Sequence, residues 1–181
     1  MKILPPDFQI TRYGVTARLV TESDAEFITQ LRSDKRLGRY IHFSDGDVEK
    51  QIQWTREYKK REAEGLDYYF IFSKDGKDYA LDRIYNIDWI HLSFTSGSWL
   101  CKEGMLMEDA LMTVVITHEI AYEILKLKIN LFDVRKNNKK VLQFHRNVMC
   151  SIQYAETELD CLFMSTPDTR KQSKLKKYLG I

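Results

Sequence analysis

The chain has 181 residues, of which 44% are hydrophobic and 30% charged, and its 28 basic against 26 acidic side chains leave a net charge of +2. That length and balance suit a single domain with a buried core across residues 1–181, and only eight glycines and three prolines argue against a fibrous or low-complexity chain. So small a net charge gives no ground for a nucleic-acid partner or an anionic-membrane surface.

In chain order, residues 15–20 alternate as a strand, and Thr21 and Ser23 then offer overlapping capping boxes with Asp24 and Glu26. The helix they start buries Phe27, Ile28 and Leu31. A second helix is expected from near Ser44 to Asp47, with Val48, Ile52, Thr55 and Tyr58 on one face, Glu57 and Arg61 spaced to pair, and Gly65 as its stop. Residues 68–72 and 79–87 flank Lys74-Asp75-Gly76-Lys77, the pattern of a β-hairpin, and a further strand follows over residues 90–100.

Residues 107–127 form the longest helical stretch, and Leu111, Met112, Val114, Val115, Ile116, Ile120, Ile124 and Leu125 cover most of its circumference. A helix apolar on so many sides is buried. A strand over 129–134, a helix over 139–149 and a closing hairpin over 153–157 and 160–165 complete the expectation. Strand, buried helix, strand implies a parallel pair and a mixed α/β fold. Arg170, Lys171, Lys174, Lys176 and Lys177 predict a solvated tail or short helix.

Several chemistries lack their parts. His118-Glu119 opens a zinc-protease pattern, but Tyr122 stands where the second His is required, so no metal is expected. There is no G-x-x-x-x-G-K-[S/T], no G-x-G-x-x-G and no G-x-S-x-G. Cys101, Cys150 and Cys161 cannot all pair within the chain and lie at no metal-ligand spacing, which predicts reduced thiols and a cytoplasmic home. The opening Met-Lys-Ile-Leu-Pro-Pro-Asp lacks a leader's apolar run, and no run approaches the ~18 residues of a membrane span, so no membrane partner is expected.

What remains is the organisation of residues 97–150. Asp133-Val134-Arg135-Lys136-Asn137-Asn138-Lys139-Lys140-Val141-Leu142-Gln143-Phe144-His145 resembles the fifth strand and following helix of the GNAT superfamily of acetyl-CoA-dependent N-acetyltransferases. Residues 17–25 are similar to that family's opening strand and helix, Tyr85-Asn86-Ile87-Asp88 to the end of its third strand, and Gly97-Ser98-Trp99-Leu100 to the end of its fourth. The resemblance implies an α/β (α+β) fold in which a mixed, mostly antiparallel sheet of six or seven strands, flanked by about four helices, opens into a central V-shaped cleft. It implies transfer of an acetyl group from acetyl-CoA to a primary amine of a small molecule or amino sugar by direct attack on the thioester. A homodimer is compatible with it.

Two positions depart from the family. Its pyrophosphate loop reads Q/R-x-x-G-x-G/A, whereas this chain has Cys101-Lys102-Glu103-Gly104-Met105-Leu106, and Met149 replaces the Gly that closes the fourth helix. A helix N-terminus still offers unpaired N–H groups and a positive dipole end, so main chain can hold a phosphate whatever the side chains. The resemblance therefore implies cofactor contacts from Leu100, Lys102, Gly104, Met105, Leu106, Met107 and Asn138, with the Leu100 region supplying an oxyanion N–H; Glu103 and Glu108 oppose an anion there. The segment serves equally as a plain strand-to-helix connection.

His145 falls where the family has a Tyr and is the candidate proton donor to the leaving sulfur, suited by an imidazole pKa of ~6.5; its alternative is a hydrogen-bonded histidine at the edge of the core. Asn138 serves as a helix cap, a cofactor contact or both. Arg135, Lys136, Lys139, Lys140 and Arg146 form a solvated basic face from which one side chain could reach a CoA phosphate. Asp82, Asp88, Glu103 and Glu108 are the carboxylates nearest the expected cleft, with water as the other base. Trp99, Trp54 and Tyr40 either line an acceptor pocket or belong to the core. Two competing functions stand beside this one: a non-catalytic binding or regulatory protein that keeps the fold, favoured by the degenerate loop, and a protein N-terminal acetyltransferase.

Overall fold

The computed structural model describes residues 2–37 and 45–181. Tyr40 and Ser44, expected at the acceptor pocket and at the start of the second helix, lie outside the described residues.

The strands are β1 (Gln9–Arg12), β2 (Val15–Leu19), β3 (Tyr68–Lys74), β4 (Lys77–Asp88), β5 (Ser93–Cys101), β6 (Ile129–Arg135), β7 (Ile152–Glu156) and β8 (Asp160–Ser165). They form one sheet in the order β1-β2-β3-β4-β5-β6-β8-β7, antiparallel throughout except between β5 and β6. Among the described residues the helices are α1 (Ala25–Ser33), α2 (Val48–Ala63), α3 (Met107–Glu119), α4 (Lys139–Asn147), α5 (Pro167–Gln172) and α6 (Leu175–Leu179). The expected sheet of six or seven strands thus has eight, because β1 pairs along β2 and both strands of the closing hairpin join.

The expected hairpin forms as β3 and β4, with Asp75 and Gly76 at φ 51° and 72°, the two successive left-handed residues that match a two-residue turn to strand twist. β3 is buried on both sides. Tyr69 and Ile71 pack with Val20, Ile28, Leu31, Tyr58 and Leu81 beneath α1 and α2, while Tyr68, Phe70 and Phe72 meet Ile116 and Ile120 on the α3 side. Each such side chain removed from water contributes about 1.5–3 kcal/mol.

The Thr21–Asp24 capping box forms around a short 3₁₀ turn, and Asp24 also holds Arg18 through both carboxylate oxygens at 2.8 Å. α2 is rotated from the expected face. Gln51, Thr55, Tyr58 and Glu62 are its buried positions, Val48 is exposed, Glu57 pairs with Lys60, and Arg61 reaches Asp67. Its apolar stripe is thin, so polar anchors set the rotation: the Tyr58 hydroxyl donates to Glu62 at 2.5 Å and accepts the Tyr69 N–H at 2.7 Å.

α3 stops at Glu119 and runs on as one π-helical turn, Ile120–Ile124, closed by the Leu125 N–H on the Ile120 carbonyl at 2.9 Å. Of the C-terminal basic residues, Arg170 and Lys171 lie on α5 and Lys176 and Lys177 on α6, the short-helix alternative, and two of them are bound rather than solvated. Arg170 and Lys176 bond the buried Glu119 carboxylate at 3.0 and 2.7 Å, together with Arg12 at 2.5 Å and the Tyr13 hydroxyl at 2.8 Å. This cluster ties the β1–β2 hairpin, α5 and α6 to the end of α3.

Candidate active site

β5 and β6 pair only at Ser93↔Ile129 and Phe94↔Asn130. Beyond that point the Asn130 amide fills the gap, its Oδ1 accepting the Ser96 N–H at 2.9 Å and its Nδ2 donating to Ser96 Oγ at 2.8 Å. A side chain thus replaces the next rung of the ladder. From Gly97 onward β5 has no strand on its β6 side, and the two strands diverge into the expected cleft. On β4, Leu81↔Leu100 is followed by Arg83↔Gly97, so Ser98 and Trp99 both oppose Asp82. This is a β-bulge, with Ser98 in the left-handed region at φ 58°.

One end of the cleft meets the N-terminus of α3. Leu106 is the N-cap residue without a side-chain cap bond, leaving the first-turn amides for another acceptor. Gly104 has φ +83°, and a Cβ there would meet nothing within 4 Å, so the glycine serves the turn and leaves space beside it. Leu106 and Met107 are 65% and 61% exposed. Of the two acids expected to oppose an anion, Glu103 is taken by Arg36 at 2.9 and 2.7 Å, while Glu108 is exposed in the first turn of α3; its neighbour Asp109 is held by Lys74 at 2.6 Å. Lys102 lies over the Phe27 ring at 4.9 Å, on the α1 side. Leu100 is buried in the core beneath α1 and α2, so it brings main chain, not side chain, to the open edge.

α4 covers β6 on the α3 side. Asn138 occupies its N-cap position but makes no capping bond with its side chain, and Leu142 returns its N–H to the Asn138 carbonyl at 3.1 Å. His145 sits among Phe132, Phe144 and Phe163, with ring centroids at 4.5, 5.5 and 5.7 Å, and its Nδ1 faces Ser151 Oγ at 3.4 Å. Burial pushes its pKa down to about 4, so the ring stays neutral even at about pH 5–6, where an imidazole at its ordinary value is mostly protonated. His118, under the Asn130 wedge with Nε2 3.4 Å from Nδ2, is pushed down to about 3 by burial, with Arg170 and His145 acting in the same direction. On the outer side of α4, Lys136, Lys139, Gln143, Arg146 and Glu156 line a cavity of about 310 Å³, where Lys136 pairs with Glu156 and Arg146 with Gln153.

The α1/α2 side of the cleft carries aromatic and charged groups. The Arg83 guanidinium lies over Trp54, Tyr69 and Tyr85 at 5.1, 5.9 and 4.9 Å and is gripped by both oxygens of Asp67. Tyr85 spans β5 because Gly97 has no side chain: a Cβ there would sit 3.2 Å from the phenol oxygen. Trp99 lies on the opposite side, its Nε1 donating to Thr113 of α3 at 2.8 Å, so Trp54 and Trp99 do not share a wall. Among the expected carboxylates, Asp88 caps the Ile90 and His91 amides. Asp82 is buried at 4% exposure beneath the bulge, and burial drives its pKa up to about 7.

Gly97, Tyr85 and Asp133 each open a segment that resembles the family, but their juxtaposition, and the role of Asn130, come from pairing between strands distant in sequence, which no local motif marks. An open main-chain edge with a helix N-terminus at one end suits an extended ligand that carries a carbonyl and an anionic group.

No protein-family model and no curated protein matches the chain. Among solved structures, apo FdhC, described as a nucleotide-linked sugar GNAT, superposes with a TM-score of 0.84 at 31% identity, covering 96% of this chain and 98% of that one. A ribosomal-protein-S5-alanine acetyltransferase from Vibrio fischeri gives 0.75 at 16% identity over 90% and 98% of the two chains. Spermidine N-acetyltransferase from Vibrio cholerae, in complex with CoA and spermine, gives 0.73 at 13% identity over 88% and 99%. The last two share the fold.

Proposed function

The chain belongs to the GNAT superfamily of N-acetyltransferases, and on that premise we propose that it transfers an acetyl group from acetyl-CoA to the primary amine of a nucleotide-linked amino sugar. The observation that carries this is the β5–β6 splay ending at the α3 N-terminus. The acceptor class is supported by the 31% identical relative, itself described as a nucleotide-linked sugar GNAT.

Acetyl-CoA supplies an activated acyl carbon and a thiol leaving group. The amides of Met105, Leu106 and Met107, with the turn at Gly104, hold the pyrophosphate by main chain and helix dipole. Backbone near Leu100 on the unpaired β5 edge donates to the thioester oxygen as charge gathers there. Asn138 completes the cofactor contacts from the start of α4, while Lys102, held over Phe27, contributes its main chain. His145, neutral near pH 7, offers an N–H to the sulfur. Because the ring is neutral, the proton it passes to the departing thiolate is replaced at its other nitrogen, and Nδ1 faces Ser151 Oγ at 3.4 Å.

The test is thiol release from acetyl-CoA across spermidine, simple hexosamines and nucleotide-linked amino sugars. Turnover highest with the last group, and reduced ~100-fold in His145→Phe, is expected. Turnover with polyamines alone would overturn the acceptor class, and unchanged turnover in His145→Phe would remove the imidazole from the reaction.

A further inference from the structure

Asp133 is exposed on β6, and the alternation of that strand points it to the α1/α2 side, away from Phe132 and Val134. Its negative charge acts on Tyr85, whose phenol it raises after burial has done so, placing the two within electrostatic reach across the splay. Between them lies Gly97, the first β5 residue past the Asn130 wedge, with the Tyr85 oxygen directly over it. The surroundings leave this carboxylate unneutralised. Arg135 on the same side is paired with Asp160, Leu162 of β8 stands opposite Asp133, and Arg83 is gripped by Asp67. No ion pair of Asp133 occurs among the described residues. The bound Arg83 lies over Trp54 and Tyr85 on the far side and, held by Asp67, is not a free cation for an anion there.

Building on the proposed acetyl transfer, we propose that Asp133 is the acceptor-side catalytic residue, receiving the substrate ammonium and taking its proton while the Tyr85 hydroxyl orients the nitrogen over Gly97. Loss of one proton to the carboxylate frees the nitrogen lone pair, which attacks the thioester carbon. The C–N bond forms as the C–S bond breaks. The nitrogen sheds its second proton to solvent, while His145 passes one to the sulfur and regains one from solvent at its other ring nitrogen, so the products are amide, thiol and a protonated Asp133 and the step needs no co-reactant beyond the thioester. The site therefore selects acceptors that arrive as primary ammonium ions.

The experiment compares wild type, Asp133→Asn, Asp133→Glu and Tyr85→Phe over pH 5.5–9.5, with acetyl-CoA and the best amine of the panel. Asp133→Asn is expected to lower kcat/KM for the amine ~100-fold near neutrality. Asp133→Glu restores part of the rate. Tyr85→Phe is expected to raise the acceptor KM ~10-fold, the loss of one hydrogen bond to a charged group. The thermal shift produced by acetyl-CoA stays unchanged in all three, which separates acceptor chemistry from cofactor binding. Asp133→Asn activity within threefold of wild type overturns the assignment while leaving acetyl transfer in place. A wild type that turns over no primary amine overturns both.

Discussion

Asp82 stands in the core without a cation, and its energetics have a definite sign. Its pKa rises from 3.8 to about 7 on folding, so the native state holds a proton that the unfolded chain has lost. The stability this gives is complete below pH ~4 and disappears as pH climbs toward 7. His145 and His118 act oppositely: depressed from 6.5 to about 4 and about 3, they leave stability complete above pH ~6.5 and diminish it as pH falls. The two trends offset each other across the mildly acidic range. Asp82→Asn removes one of them. Chemical denaturation of that variant should show a gain on the order of a few kcal/mol at pH 8, little change at pH 4, and a bare histidine limb between. Equal stability of the two proteins at pH 8 would show that Asp82 is not a strained carboxylate.

At the scale of elements, most of the strands and α3 were legible from periodicity, because each expresses its burial in its own run of residues. The β3–β4 turn was legible from Asp75-Gly76 alone. What escaped notice depends on partners far away in the chain: the rotation of α2 is set by Tyr58 and Glu62, and the fate of the C-terminal basic residues by one carboxylate on α3. Glu119 faces Arg12, Arg170 and Lys176 at a side-chain exposure of 1%. Glu119→Gln leaves Lys176 without its counter-charge and Arg12 and Arg170 with Glu123 alone, and a loss of ~1–3 kcal/mol follows. Hydrogen exchange should accelerate first in α5, α6 and the β1–β2 hairpin. Uniform acceleration across the sheet would show that the cluster is not a local tether.

For the molecule as a whole, the family resemblance led to the cleft, since element order survives where loop motifs decay. The site was legible in part. The cofactor side follows from one continuous stretch, residues 97–107, and from α4. The acceptor side does not, because Tyr85, Gly97 and Asp133 come from three strands whose juxtaposition is a property of register. The degenerate loop also carries less weight than its side chains suggest, given that Arg36 and Lys74 occupy two of the nearby acids. The central claim is that the splay between β5 and β6 binds acetyl-CoA. Thermal unfolding with and without millimolar acetyl-CoA tests it most directly: a ligand at 100 times its Kd stabilises by ~2.7 kcal/mol, a clear rise in Tm. No shift at millimolar acetyl-CoA or CoA would contradict the account.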